Sequence, residues 1–125
     1  MAAPNIVGVT TIIGITTMVG IANTNTANVI VSNATNSNRV LKINSLIASN
    51  KNGTLSADVT VRVTDQAAGA GNAFNIVSTV SVPADASLAV IAKDTTIYLE
   101  ENRSIVALAS TSNYIDIICS YEQIS

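Results

Sequence analysis

Histidine and tryptophan are missing from this chain of 125 residues, and aromatic residues make up only 3% of it. Without histidine, the Ser-His-Asp and Cys-His nucleophile systems cannot form in their usual arrangement. The single cysteine, Cys119, cannot form an internal disulfide, and the apolar run Ile117-Ile118-Cys119 predicts that its side chain is buried. The composition therefore argues against an enzyme.

Charged residues are also sparse, at 11% of the chain with a net charge of −2. The six basic residues are scattered singly, which argues against nucleic acid as a partner, because such binding depends on clustered phosphate contacts. The aspartates lack the spacing of a calcium loop, and the neighbouring Glu100 and Glu101 do not resemble a catalytic carboxylate pair. We expect no catalytic residue, no metal site and no cofactor.

Residues 6–22 form an uncharged apolar run that could be mistaken for a membrane span. The run is about 17 residues long, at the short end of the range that spans a bilayer, and it contains four threonines and three glycines. No basic residue precedes it. We therefore expect no membrane role, and we interpret residues 1–22 as an extended N-terminal β arm or as the first strands.

What the chain does contain is a repeated alternation of apolar and polar residues, interrupted every eight to twelve residues by Gly, Pro or Asn. Such a pattern is typical of a β-sandwich or barrel. It predicts, after the arm, eight strands and a mobile glycine-containing loop at 65–73. The strands are expected at 27–32, 39–49, 58–64, 74–82, 86–92, 95–99, 104–109 and 114–123.

The alternation also assigns faces to these strands. In the strand at 39–49 it places Leu41, Ile43, Ser45 and Ile47 on one face, and it makes 95–99 and 104–109 a hairpin around Glu100-Glu101-Asn102-Arg103. The predicted core residues are Val59, Val61, Val63, Ile76, Val80, Leu88, Val90, Ile97, Leu99, Ile105, Ile115 and Ile117. Together these features predict an all-β chain with a single antiparallel β-sandwich at 23–125, for which a jelly-roll-like strand order is one option.

Several short stretches resemble small virion structural proteins of marine tailed phages, of the cyanophage type. These stretches are Met1–Val7, Val9–Gly14, Val82–Leu88, Tyr98–Glu101 and Ile118–Glu122. The resemblance implies a virion component without enzymatic activity, with capsid decoration (cement) as its first candidate role. It also implies a location in the virion, most of all in the phage head, after assembly in the host cytoplasm.

The uncharged arm adds an expectation about partners. A strand with strong β-propensity and unpaired backbone groups can add to a neighbouring sheet, where alternate side chains fill pockets. We expect contacts with the major capsid protein or other virion proteins and a homo-oligomer, with a trimer as the first guess. The expected anchors are Ile6, Val7, Val9, Ile12, Ile13 and Ile15. The alternative is a receptor- or carbohydrate-binding β-module of a phage tail, neck or fibre.

Overall fold

The computed structural model describes residues 8, 11–22 and 24–125. Strands account for 60% of these residues, which include no α-helix. Two antiparallel sheets pack against each other, which confirms the predicted all-β sandwich. The strands are β1 (Ile12–Gly20), β2 (Asn28–Asn33), β3 (Val40–Asn50), β4 (Ala57–Thr64), β5 (Ala73–Val82), β6 (Ser87–Ile91), β7 (Ile97–Leu99), β8 (Arg103–Ala109) and β9 (Ile115–Ile124).

The strand order is that of a jelly roll. Sheet A has the order β1-β9-β3-β6, with the short β7 also pairing with β3, and sheet B has the order β2-β8-β4-β5. The chain doubles back at the β4–β5 hairpin, after which β6 pairs with β3, β8 with β2 and β9 with β1. With β6 and β7 together occupying one strand position beside β3, this folded-back ribbon gives the eight positions of a double Greek key.

Aliphatic side chains from both sheets fill the space between them. Val59 and Val61 of β4 and Ile115 and Ile117 of β9 are fully buried, as their alternation predicts. Leu99 and Ile105 are also buried, whereas Val63, Ile76, Leu88, Val90 and Ile97 are partly buried against the same cluster. Val80 is partly buried. The near absence of aromatic residues is therefore compatible with a continuous core.

Strand β3 differs from its predicted face assignment at its centre. A register shift against β9 lies between Ile43 and Ser45, so the alternation changes face there. Leu41 and Ile43 point inward as expected, but beyond the bulge Leu46 and Ala48 are buried and Ile47 is exposed. The prediction that Ser45 and Ile47 share the face of Leu41 is therefore wrong.

The predicted hairpin at residues 95–109 is also wrong. Strand β7 pairs with β3 in sheet A, whereas β8 pairs with β2 and β4 in sheet B, so the turn between them crosses from one sheet to the other. Asn102 in this turn adopts the left-handed conformation, which asparagine tolerates better than most residues, with φ of 59°. Because Leu99 and Glu101 are both buried, this turn closes one end of the sandwich.

The loop between β4 and β5, which the sequence suggested to be mobile, is held by hydrogen bonds. Its short 3-10 turn, Ala67–Gly69, lies over β2 and β8. The amides of Ala68 and Gly69 donate to the hydroxyls of Ser32 (2.9 Å) and Ser104 (2.8 Å). Gly69 has a φ of 77°, and a Cβ atom there would lie 3.2 Å from side-chain atoms of Val106 and Val29, so any other residue would be strained and crowded.

Candidate functional site

Of the six expected anchors, three can be located in the structure. Ile12, Ile13 and Ile15 lie in β1, whereas Ile6, Val7 and Val9 lie outside the described residues. Residues 12–20 form an edge strand of sheet A, paired with β9 along its whole length. The described part of the expected arm is therefore joined to the sandwich.

The two sides of β1 have different environments. Val19 packs against the core, and Ile21, directly after the strand, is fully buried. Ile15 is partly buried on the same side, and Ile13 is 46% exposed. On the outer side, Ile12 and Met18 are 58% and 76% exposed. The strand is thus fixed to the core near its C-terminal end, while its outer side presents apolar side chains to solvent.

The backbone of β1 also has an open side. Thr11 exchanges both backbone hydrogen bonds with Ser125, and the Ile21 amide donates to the Ile115 carbonyl, so the odd-numbered residues direct their polar groups toward β9. In an antiparallel ladder these groups alternate in direction. The amides and carbonyls of Ile12, Gly14, Thr16, Met18 and Gly20 therefore point away from β9, and no other described strand pairs with β1.

A row of apolar side chains crosses the outer face of sheet A from this edge. Met18 lies opposite Ile118, and Ile118 lies opposite Ile47 on β3. The latter two side chains are 41% and 37% exposed. The row borders an open groove of about 300 Å³, lined by Met18, Val19, Gly20, Asp116, Ile117 and Ile118.

The other three sheet edges carry features that discourage pairing with another chain. Strands β6 and β7 divide one edge of sheet A into pieces of five and three residues, separated by the turn Lys93–Thr95. In sheet B, β2 has a register shift after Val29, and β5 has two shifts, with Thr79 in the left-handed region at φ of 52°. By contrast, β1 has nine residues in continuous register with no charge and no proline.

A second groove lies on the outer face of sheet B. It has a volume of about 210 Å³, is open to solvent, and is lined by Thr24, Asp58, Thr60, Arg62, Thr79, Leu108, Ala109 and Ser110. The hydroxyl of Thr60 accepts the Thr79 amide proton at 2.9 Å, which supports the strained backbone there. Hydroxyls and two opposite charges line this groove, but no aromatic ring does.

Two side chains with reactive groups, Cys119 and Glu101, are buried. Cys119 faces the core, and burial raises the pKa of its thiol to about 12, so a thiolate nucleophile is not available near neutral pH. Glu101 is buried at the β7–β8 turn, where its Oε1 accepts the Asn38 amide proton at 3.1 Å. In the part of the chain that the structure describes, no three His, Cys, Asp or Glu side chains are grouped to hold a metal ion.

No helix in the described residues is long and apolar enough to cross a membrane.

The anchors predicted from the sequence do not include several residues that form the open edge of β1 and the apolar row beside it. Met18 and Gly14 are on β1, and Ile47 was assigned to the opposite face because the bulge in β3 was not foreseen. Because Ile117 is a predicted core residue, alternation along the last strand places its neighbour Ile118 outward, which is a usable signal. What the sequence could not indicate is that β1 lies at an edge, since this depends on which strand pairs with β9.

Neither the protein-family models nor the curated proteins with which the chain was compared match it.

Proposed function

We propose that the protein is a non-enzymatic virion structural protein, and specifically a capsid decoration (cement) protein that stabilises a phage head through β contacts between subunits. The observation that carries the proposal is a jelly roll with one long, uncharged strand edge, which no other strand among the described residues pairs with. Double-sheet jelly rolls are common in viral capsid domains. Because a fold alone does not define a function, the edge is the more specific part of the argument.

The surface composition supports the same role. A cement protein must pack densely against its neighbours, and the chain has few charges that would repel a second copy. The exposed Met18, Ile118 and Ile47 add an apolar row next to the open backbone. The resemblance of five stretches of the chain to phage virion proteins points the same way and gives the major capsid protein or another virion protein as partner.

The experiment that tests this proposal counts the protein on the particle. Purified particles are labelled with an antibody against the chain, and the copies per particle are measured by quantitative mass spectrometry against an internal standard. A decoration protein is expected at hundreds of evenly distributed head positions. Labelling of a few sites at the neck, tail or fibre, or no label at all, would overturn the proposal.

A second candidate is a carbohydrate- or receptor-binding module of a tail, neck or fibre, since lectin domains also use the jelly roll. The groove on sheet B favours it, because Asp58, Arg62 and Thr60 could bond to sugar hydroxyls. Sugar sites usually add an aromatic platform, which this lining lacks. A glycan array separates the two functions: specific binding that Arg62→Ala abolishes, while Lys42→Ala does not, would favour the binding module.

A further inference from the structure

We propose that the open edge of β1 pairs with β1 of a second copy of this chain, in antiparallel orientation about a two-fold axis centred on Thr16. The partner is a second copy because the edge is complementary to itself, in both its backbone and its side chains. The inference rests on the proposed function only where it places the paired copies in a capsid shell. The pairing itself is a property of the purified protein.

The backbone geometry selects the centre. Thr16 is the middle residue of the nine in β1, and its amide and carbonyl belong to the set that points away from β9. Two copies related by a two-fold axis at Thr16 would therefore exchange both backbone hydrogen bonds at the centre. In the same register, Gly14 meets Met18 of the other copy and Ile12 meets Gly20, and these residues also direct their polar groups to the open side.

The side chains on the outer face fit this register. On the outer face of β1, Gly14 and Met18 lie two residues on either side of Thr16. Ile12 and Gly20 lie four residues on either side, so a large apolar residue is matched with a glycine at each distance. Each large side chain would thus lie across from a glycine of the other copy. A Cβ atom built at Gly14 meets nothing within 4 Å, so the space that Met18 would cover is vacant in the single chain. Directly opposed side chains are the main unit of stabilisation between strands.

The lack of charge on β1 allows two copies to pair, and the irregular strands at the other sheet edges explain why no further copy would add. No charged residue lies on β1, so two copies meet without repulsion. Once the two β1 edges are joined, the edges left at the outside are the divided β6–β7 edge and the bulged strands β2 and β5. An isologous contact of this kind closes on itself, whereas a head-to-tail contact would continue. The geometry thus favours a dimer over the trimer first expected from the sequence.

The first test is the mass of the full-length protein in solution, measured by sedimentation velocity. The expected mass is twice that of the 12.9 kDa chain. Thr16→Lys and Thr16→Glu should each be folded monomers, because two like-charged side chains would lie directly opposite each other across the two-fold axis, with their Cα atoms about 5.5 Å apart. An equimolar mixture of the two variants should recover the dimer. Ser81→Lys is the matched control, since it places the same charge on an exposed position of the β5 edge and should leave the dimer intact.

The second test addresses the register. Gly14→Val should not destabilise the monomer, because its position is open and valine favours a strand more than glycine does. It should weaken the dimer roughly tenfold or more by overpacking against Met18 of the other copy. Adding Met18→Ala to Gly14→Val should restore the affinity.

A wild-type monomer or trimer, a dimer that survives Thr16→Lys, or a charge-swap mixture that stays monomeric would overturn the pairing. These measurements use no particle. If the protein does not dimerise, the copy number on the virion still tests the proposed function. If the copy number contradicts the proposed function, the dimer can still be observed in the purified protein.

Discussion

Two buried asparagines connect the sheets at the level of single residues. The Asn33 side-chain amide, at the end of β2 in sheet B, donates to the carbonyl of Leu99 in sheet A at 3.0 Å and to that of Arg39 at 2.9 Å. The Asn50 amide, at the end of β3 in sheet A, donates to the carbonyls of Val82 in sheet B (3.0 Å) and Leu55 (2.9 Å). Each asparagine side chain thus ties a carbonyl of the opposite sheet to a carbonyl of the chain next to its own strand.

Replacing such an asparagine should therefore be costly. Asn50→Leu has a similar volume but removes the amide that donates to the Val82 and Leu55 carbonyls and the Oδ1 that accepts the Asn52 amide proton. We expect a loss of about 2 to 4 kcal/mol in the free energy of unfolding. Asn75→Ala is the control, because Asn75 is exposed and bonds only to the exposed part of Arg62. Urea denaturation measures both. Similar losses in the two variants would show that the Asn50 side chain does not join the sheets.

Cys119 predicts a dependence of stability on alkaline pH. Burial raises the pKa of its thiol from 9.0 to about 12, so the folded state favours the protonated thiol more than the unfolded state does. This contribution is complete below pH 9 and is lost as the pH rises toward 12.

The stability advantage of the wild type over Cys119→Ala should therefore shrink by about 1 to 2 kcal/mol between pH 8 and pH 10.5. The comparison with Cys119→Ala removes the effect of other groups that titrate in this range. A difference in unfolding free energy that stays constant with pH would mean that the thiol is accessible to water.

At the level of strands, the predicted faces were mostly right where the strand itself contains no extra residue and wrong beyond a bulge in the strand. In β4 the alternation places Val59 and Val61 in the core and Asp58 and Thr60 on the wetter face, as the structure shows. The same alternation places Thr64 outward, but its side chain is buried, where its hydroxyl bonds to the Ser104 and Gln66 carbonyls. The second half of β3 was assigned to the wrong face because one extra residue near Asn44 changes the alternation. Local hydrophobic periodicity contains no signal for a bulge whose cause is the partner strand.

The β4 assignment can be tested directly. Val61→Ala should lower the free energy of unfolding by about 1 to 4 kcal/mol, because it leaves a cavity between the sheets. Thr60→Ala removes the acceptor of the Thr79 amide proton at a partly exposed position, where water can replace it, so the loss should be below about 1 kcal/mol. Thermal or chemical unfolding of the two variants suffices. A larger loss for Thr60→Ala would place the wrong residues in the core.

At the level of the whole molecule, the sequence could predict the class of fold but could not select the strand order. Asn, Gly and Pro residues show where the strands are separated. They do not show that β1 pairs with β9 from the opposite end of the chain. They also do not show that the β7–β8 turn, predicted as a hairpin, crosses from one sheet to the other. Turn residues define where a strand stops and do not say which sheet the next strand enters.

The candidate site was predictable only in part, for the same reason. The uncharged run at the N-terminus was a visible signal, and it led to Ile12, Ile13 and Ile15. The self-complementary alternation of large residues and glycines on β1 became meaningful only when the strand was found at an open edge. Whether a backbone group is free or paired is a property of the completed sheet.

The central claim is that the open backbone of β1 is the surface through which the protein assembles, and amide hydrogen exchange along β1 tests it most directly. In the monomeric Thr16→Lys variant, the amides of Gly14 and Met18 should exchange much faster than those of Ile15 and Thr17, which bond to β9. In the wild-type protein at assembling concentration, the Gly14 and Met18 amides should slow to the rates of their neighbours. Gly14 and Met18 amides that exchange equally fast in both proteins would contradict the claim.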